Sequence, residues 1–152
     1  MSVQFVIAAV LGIAAVVEDL RSRRIPNWIP VAALVAGLLW HTAAQGWRGL
    51  GSSLLGAVAG FLVFLVFYLL GGMGGGDIKL MSGFGAVIGI QHVLSAAFGA
   101  AVCGALMALV VLGRRALRNR RAGSQTGSAQ AEPASIPYAP AIAAGVWLSL
   151  IA

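Results

Sequence analysis

The stretch "LLGAVAGFLVFLVFYLLGGMGGGDIKL" (54–80) decides the fold. Its first part, residues 54–70, carries no charged side chain, which is typical of a helix that crosses a membrane. Its second part places Asp77 directly after a segment that contains five glycines. Acidic residues are rare in this chain, and the four that it has are Glu18, Asp19, Asp77 and Glu132. An aspartate behind nearly bare backbone at the end of a membrane span therefore needs an explanation.

The composition indicates a membrane protein. Of the 152 residues, 60% are hydrophobic and 9% are charged, whereas soluble domains carry roughly 25% charged residues. Ten basic residues against four acidic ones would suggest a nucleic-acid partner in a soluble chain. In a membrane protein the same excess of basic residues is explained by their preference for cytoplasmic loops. We therefore expect no nucleic-acid partner. The single cysteine, Cys103, leaves no internal disulfide and no multi-cysteine zinc site.

Apolar runs between polar or glycine-rich breaks predict six membrane spans in one domain covering residues 1–152. The fold class is an all-α membrane bundle. A segment rich in Arg and then in Gly, Ser, Ala and Gln, residues 114–136, is predicted to be a flexible cytoplasmic linker. The predicted spans are about 3–18, 28–44, 50–70, 78–90, 93–113 and 137–152.

Charge predicts the orientation of the bundle. If the break after the first span is cytoplasmic, basic residues gather on the cytoplasmic side, as they do in most membrane proteins. Only Arg48 then lies on the outer side. Both termini are predicted to be periplasmic, and Asp19 and Asp77 are predicted at the cytoplasmic ends of spans 1 and 4. The basic residues on the cytoplasmic side are Arg21, Arg23, Arg24, Lys79, Arg114, Arg115, Arg118, Arg120 and Arg121.

The depth of Asp77 makes it a functional candidate. A helix over residues 78–90 rises about 20 Å, less than the roughly 30 Å of the hydrocarbon core, so Asp77 is expected at membrane depth. Ionisable residues at that depth are usually functional. A structural alternative is that Asp77 caps the helix that follows it. For Asp19 the alternative is an ion pair with Arg23 at the membrane surface.

Two aspartates that face one polar cavity have a chemistry of their own. Ionising both would place like charges side by side, so such a pair shares a proton. The ionised carboxylate can take a proton from water while the protonated one polarises a carbonyl. That combination hydrolyses an amide without a metal or a covalent nucleophile. The sequence thus predicts a polar active-site cavity at the cytoplasmic face.

Three stretches resemble the type IV prepilin peptidases, membrane aspartic proteases with a G-x-G-D motif. "DLRSRRIPN" (19–27) is similar to the family's first aspartate motif, an Asp followed by basic residues and Ile-Pro-Asn. "GGGDIKLMSGFG" (74–85) is similar to the second, G-x-G-D followed by Lys-Leu. "IPYAPAIAAG" (136–145) is similar to the Pro-Tyr-x-Pro motif of the last span. The resemblance covers essentially the whole chain.

The resemblance implies an endopeptidase that removes the short basic leader of prepilins or pseudopilins on the cytoplasmic side of the bacterial inner membrane, for pilus assembly. It implies no cofactor and no metal. Longer members carry an N-terminal four-cysteine zinc domain and methylate the new N-terminus. This chain is similar to the short branch that serves Flp, or tight-adherence, pili, so methylation is not carried over. The implied catalytic pair is Asp19 and Asp77, and the implied site-shaping residues are Gly74, Gly75, Gly76, Lys79, Pro137, Tyr138 and Pro140.

Two other functions fit the residues alone. A small transporter or channel could use Asp19 and Asp77 to bind a cation or relay protons. A transporter more often holds its acids near the midplane of the membrane, whereas here both lie toward one face. A membrane scaffold with structural aspartates is the third reading. His41 and His92 are predicted near the outer surface, away from the aspartates, and are not expected to bind a metal. An archaeal preflagellin peptidase is a close relative of the same family.

Overall fold

The structure is a computed structural model that describes residues 3–22, 25–70, 73–121 and 138–151. Every regular element in these ranges is an α-helix, which confirms the predicted all-α class. The helices are α1 (Val3–Ser22), α2 (Trp28–Leu69), α3 (Gly75–Ile88), α4 (Ile90–Arg121) and α5 (Ala139–Ile151).

Three helical segments are long and apolar enough to cross a membrane: Val3–Ser22, Trp28–Leu69 and Ile90–Val111. Their large side chains face outward. On α1 the buried residues are the small Ala8, Gly12 and Ala15 together with Asp19. The exposed ones are Val3, Val6, Val10, Ile13, Val17 and Leu20. Large apolar residues outside and small residues inside are typical of helices packed in lipid, where small residues let backbones approach.

Helix α2 folds back on itself at Gly46. Its 42 residues would rise about 63 Å if they were straight, twice the hydrocarbon thickness. Gly46 has φ 60° and ψ −137°, a conformation that glycine adopts readily. Beyond it, Gly49 lies directly against the carbonyl oxygen of His41, although eight residues of straight helix would separate them by about 12 Å. The two arms are α2a (residues 28–45) and α2b (residues 47–69).

Helix α3 lies between the two arms of α2 and is almost wholly buried. Glycines make the approach close on both sides. A Cβ at Gly37 of α2a would lie 2.5 Å from the backbone of Ala86. On α2b, Gly56 and Gly85 of α3 each contact the carbonyl oxygen of the other. Because ten of its 14 residues are buried in the bundle, the length of α3 need not match the bilayer thickness.

Hydrogen bonds add to this packing. The hydroxyl of Ser53 donates to the carbonyl of Ala86 at 2.9 Å, and the hydroxyl of Ser82 donates to the carbonyl of Ala57 at 3.1 Å. Both bonds join α2b to α3, so the serine hydroxyls are satisfied in an apolar setting.

Helices α4 and α5 pack closely, and α5 also packs along α1. Helix α4 starts after Gly89, which breaks the chain with φ 73°. It then continues to Arg121, so the start of the predicted linker at residue 114 was wrong. The Arg, Leu and Ala residues after Gly113 are strong helix formers, which explains the extension. The rest of the predicted linker, residues 122–136, lies outside the described ranges.

Candidate active site

Asp19 ends the buried stripe of α1 and is itself 6% exposed. One of its carboxylate oxygens, Oδ2, accepts the backbone N–H of Ala139 at 3.1 Å. Ala139 is the first residue of α5. The carboxylate therefore meets a helix start that lies 120 residues further along the chain. The predicted partner Arg23 lies outside the described ranges.

Asp77 lies in the first turn of α3 and is 7% exposed. The helix starts at Gly75, three residues earlier than predicted, and Gly74 is its N-cap. The alternative in which Asp77 is the cap residue was therefore wrong in position. The side chain still assists the helix start, because its Oδ2 accepts the N–H of Gly74 at 3.1 Å. This is the acidic half of a capping box, which satisfies one N–H that the helix leaves free.

The two carboxyl groups lie at the same end of the bundle. The segment that follows Asp19 packs against the start of α3, since Ile25 contacts Gly76 and Lys79 bonds to Asn27. The opposite end is marked by His41, whose Nε2 lies 3.2 Å from Gln4 Nε2 and 3.0 Å from the carbonyl oxygen of Val87. Helix α1 thus runs from Gln4 at one end to Asp19 at the other, and α3 runs back from Asp77 to Val87.

Two of the three glycines before Asp77, Gly74 and Gly75, leave space beside it. Among the described residues, a Cβ at Gly74 would meet only the Asp77 carboxylate, at 3.5 Å, and one at Gly75 would meet only Tyr68, at 4.0 Å. Gly74 and Gly75 are both exposed. Gly76 differs, since its Cβ would lie 3.4 Å from Ile25. Open backbone therefore lies next to a buried carboxylate.

Lys79 joins the α1–α2 connection to α3. Its Nζ donates a hydrogen bond to Oδ1 of Asn27 at 3.1 Å. Asn27 is the N-cap of α2, but its side chain makes no capping bond. Ile25, two residues earlier, packs on Gly76. One hydrogen bond and one apolar contact thus hold the connection after Asp19 against the segment that carries Asp77.

The last predicted motif surrounds the start of α5. Tyr138 precedes the helix and its ring lies 3.3 Å from the position that a Cβ on Gly104 would take. Pro140 is the second residue of α5 and is half-buried. Pro137, also predicted to shape the site, lies outside the described ranges. What the sequence did not reveal is that the residue between Tyr138 and Pro140 contacts Asp19 through its backbone, because a backbone donor leaves no residue-type signal.

The histidines lie elsewhere. His92 is exposed, in the first turn of α4. His41 is 4% exposed and packs inside the bundle, at the end opposite to the two aspartates. Within the described ranges, no three His, Cys, Asp or Glu side chains come together in a way that could hold a metal ion.

Known proteins are similar to this chain over most of its length. The family model of the type IV leader peptidase family matches residues 5–109. A prepilin leader peptidase/N-methyltransferase of Bacillus subtilis (strain 168) is 35% identical over 147 residues, which is 93% of this chain and 52% of the relative. One of Aeromonas hydrophila is 32% identical over 140 residues, 88% of this chain and 43% of the relative.

A preflagellin peptidase of Methanococcus voltae is 35% identical over 77 residues, 49% of this chain and 33% of the relative. The chain spans about half the length of the curated prepilin peptidases that it matches. No solved structure shows a significant match. These similarities favour a peptidase and give no support to a transporter. The chain belongs to the type IV leader peptidase family.

Proposed function

We propose that this chain is an aspartic endopeptidase that removes the short basic leader of a type IV prepilin, of the Flp type, during pilus assembly. One observation carries the proposal. Two buried aspartates from separate helices, Asp19 and Asp77, come together at one end of an apolar bundle. Burial of two like-charged groups side by side is costly and is seldom kept for stability alone.

The pair hydrolyses the leader peptide bond by general acid–base chemistry. The two carboxyl groups share one proton, since ionising both would bring two negative charges together. The ionised group removes a proton from a water molecule as that water attacks the scissile carbonyl carbon. The protonated group donates a hydrogen bond to the carbonyl oxygen and then its proton to the leaving amine. The chemistry requires no metal and no covalent intermediate.

The residues around the pair shape the site. Exposed backbone at Gly74 and Gly75 leaves room for an extended substrate chain next to Asp77. Gly76 and Lys79 hold the connection after Asp19 against α3. Tyr138 and Pro140 form the start of α5, whose first N–H meets Asp19. Pro137 is proposed to belong to the same helix start on the strength of the family motif alone.

The site faces the cytoplasm in this proposal. Six spans cross the bacterial inner membrane, with α2a and α2b as two of them and α3 as a short buried one. Both termini are periplasmic, and the polar cavity between Asp19 and Asp77 opens at the cytoplasmic face. The basic residues Arg21 and Lys79 at that end support this orientation. A prepilin anchored in the same bilayer would present its leader at this height.

Cleavage of a Flp-type prepilin tests the proposal. The prepilin is co-expressed with wild type, Asp19→Asn, Asp77→Asn or Glu18→Gln, and its N-terminus is read by mass spectrometry. Either Asn variant alone should lower cleavage by at least about 100-fold, because the pair acts as a unit. Glu18→Gln is the matched control, an acid beside Asp19 that is not buried, and it should cleave like wild type. Processing by both Asn variants at equal expression would overturn the aspartic mechanism.

A further inference from the structure

The start of α5 is hydrogen-bonded to the carboxylate of Asp19. The N–H of Ala139 donates to Oδ2 of Asp19 at 3.1 Å, and this bond is buried. The first N–H groups of a helix have no acceptor within the helix, so this donor is free to serve another group. Pro140, the next residue, has no N–H to compete with it.

Close packing on α4 fixes where α5 begins. A Cβ at Gly145 would lie 2.5 Å from the carbonyl oxygen of Ala96, so the two helix backbones are in contact. Nearer the start of α5, the ring of Tyr138 rests on Gly104, with no side chain between them. These two contacts set the height of Ala139 in the bundle.

Helix α5 also holds α1 at a second point. The indole Nε1–H of Trp147 donates to the carbonyl of Ala8 at 3.1 Å. The same ring lies 3.0 Å from the position that a Cβ on Gly12 would take. Together with the bond to Asp19, α5 holds the buried stripe of α1 over eleven residues, a rise of about 16 Å.

We propose that Ala139 is a positioning residue, whose backbone N–H fixes the orientation of the Asp19 carboxylate toward Asp77. The inference rests on the proposed peptidase function. It assigns a role to α5, which lies beyond the region that the family model matches, residues 5–109. A carboxylate at a helix end can rotate about its side-chain bonds, and misplacement by 1 Å can cost about 100-fold in rate. A buried N–H removes that freedom.

A single-atom change tests the role. Ala139 is replaced by lactic acid, its α-hydroxy acid analogue, in cell-free translation into nanodiscs, so that an ester oxygen takes the place of the N–H. The control is the corresponding change at Ile142, whose N–H donates to the carbonyl of Tyr138 at 3.0 Å. An ester at residue 139 also weakens that carbonyl as an acceptor, so the control reproduces the side effect on the helix.

The expected result is a kcat for prepilin cleavage about tenfold lower for the ester at residue 139, with KM unchanged. The ester at residue 142 should keep the wild-type kcat within about twofold, because it leaves Asp19 untouched. Equal losses of kcat in the two ester variants would show that α5 matters only for stability. Wild-type cleavage by the ester at residue 139 would show that the bond does not position Asp19. Either result would overturn the inference, as would a change in KM alone.

Infrared spectroscopy gives a readout that needs no activity. The chain contains only two aspartates, so [4-13C]aspartate labels only the carboxyl groups of Asp19 and Asp77. The band that disappears in Asp19→Asn should shift in the ester at residue 139 and stay in place in the ester at residue 142. An unshifted band would contradict the inference even if the wild type cleaved no prepilin, whereas absent cleavage by wild type with a shifted band would reject only the proposed function.

Discussion

Asp77 serves the helix and the site at the same time. Its carboxylate accepts the N–H of Gly74 at 3.1 Å and lies at the same end of the bundle as Asp19. The structural contact with Gly74 is therefore compatible with the proposed catalytic role of this residue. Asp19 and Asp77 could be singled out from the sequence as a candidate pair, since acids are rare in this chain and each follows an apolar span. The contact with Ala139 could not, because it depends on how α5 packs rather than on a side chain.

Gly75→Ala should separate activity from stability. Within the described part of the chain, the new methyl group would meet nothing closer than Tyr68, at 4.0 Å. Alanine is also more favourable than glycine in a helix by about 0.5–1 kcal/mol. We expect an unchanged or higher melting temperature together with cleavage reduced about tenfold, because the methyl group intrudes on an extended substrate beside Asp77. Thermal unfolding in detergent and the cleavage assay measure the two effects.

Gly113→Ala is the matched control, since a Cβ there also meets open space but lies far along α4. It should cleave at the wild-type rate and, as a glycine-to-alanine change inside a helix, should have an unchanged or higher melting temperature. If Gly75→Ala cleaved at the wild-type rate, the open backbone beside Asp77 would not be the path of the substrate.

At the scale of elements, α3 is the centre of the bundle. Both arms of α2 pack against it, and the glycines at each crossing replace the side chains that would keep the helices apart. The sequence indicated two apolar segments around Gly46, but not that α3 lies between them, because hydrophobic runs carry no information about which helices touch. Asp77 is held in place by this packing, so the α2–α3 contact supports the site indirectly.

Gly85→Ala should destabilise the protein strongly. Its Cβ would overlap the carbonyl oxygen of Gly56, which is backbone and cannot rotate away. Overpacking of this kind costs about 1–3 kcal/mol, so the melting temperature should fall and cleavage should fall with it. Gly51→Ala, in α2b but facing open space, should be neutral. Equal melting temperatures for the two variants would show that α2b and α3 are not in close contact.

The bond between Lys79 and Asn27 should act as one unit in a double-mutant cycle. Lys79→Met and Asn27→Ala each break the same 3.1 Å bond, so the double variant should lose little more activity than either single variant. The pair is exposed, so stability should change by less than about 1 kcal/mol. Lys79→Arg, which keeps a donor, should restore part of kcat/KM. Additive losses would mean that Lys79 acts separately, for example on the substrate.

For the whole molecule, the sequence predicted more of the architecture than of the contacts. Composition alone indicated a helical membrane protein, since a helix satisfies its own backbone groups in lipid. A helix in lipid turns its large apolar side chains outward and packs its small residues inward, which accounts for the exposed face of α1 and for the buried stripe that ends at Asp19. The end of α4 was misplaced, because a basic segment that is polar enough to be a linker is also a good helix former. The burial of His41 depends on long-range packing and left no signal in the sequence.

Orientation in the membrane gives the last prediction. In a Cys103→Ala background, Ser22→Cys and Arg48→Cys place one thiol at each end of the bundle, and both positions are exposed. Because basic residues favour the cytoplasmic side, a membrane-impermeant maleimide should label Arg48→Cys in intact spheroplasts and Ser22→Cys only after lysis. His92→Cys, exposed near the break at Gly89, should behave like Arg48→Cys. Labelling of Ser22→Cys from outside would place Asp19 and Asp77 on the periplasmic side. The basic leader of a membrane-anchored prepilin could not reach them there. The proposed substrate would then have to be abandoned, even if the pair proved catalytic.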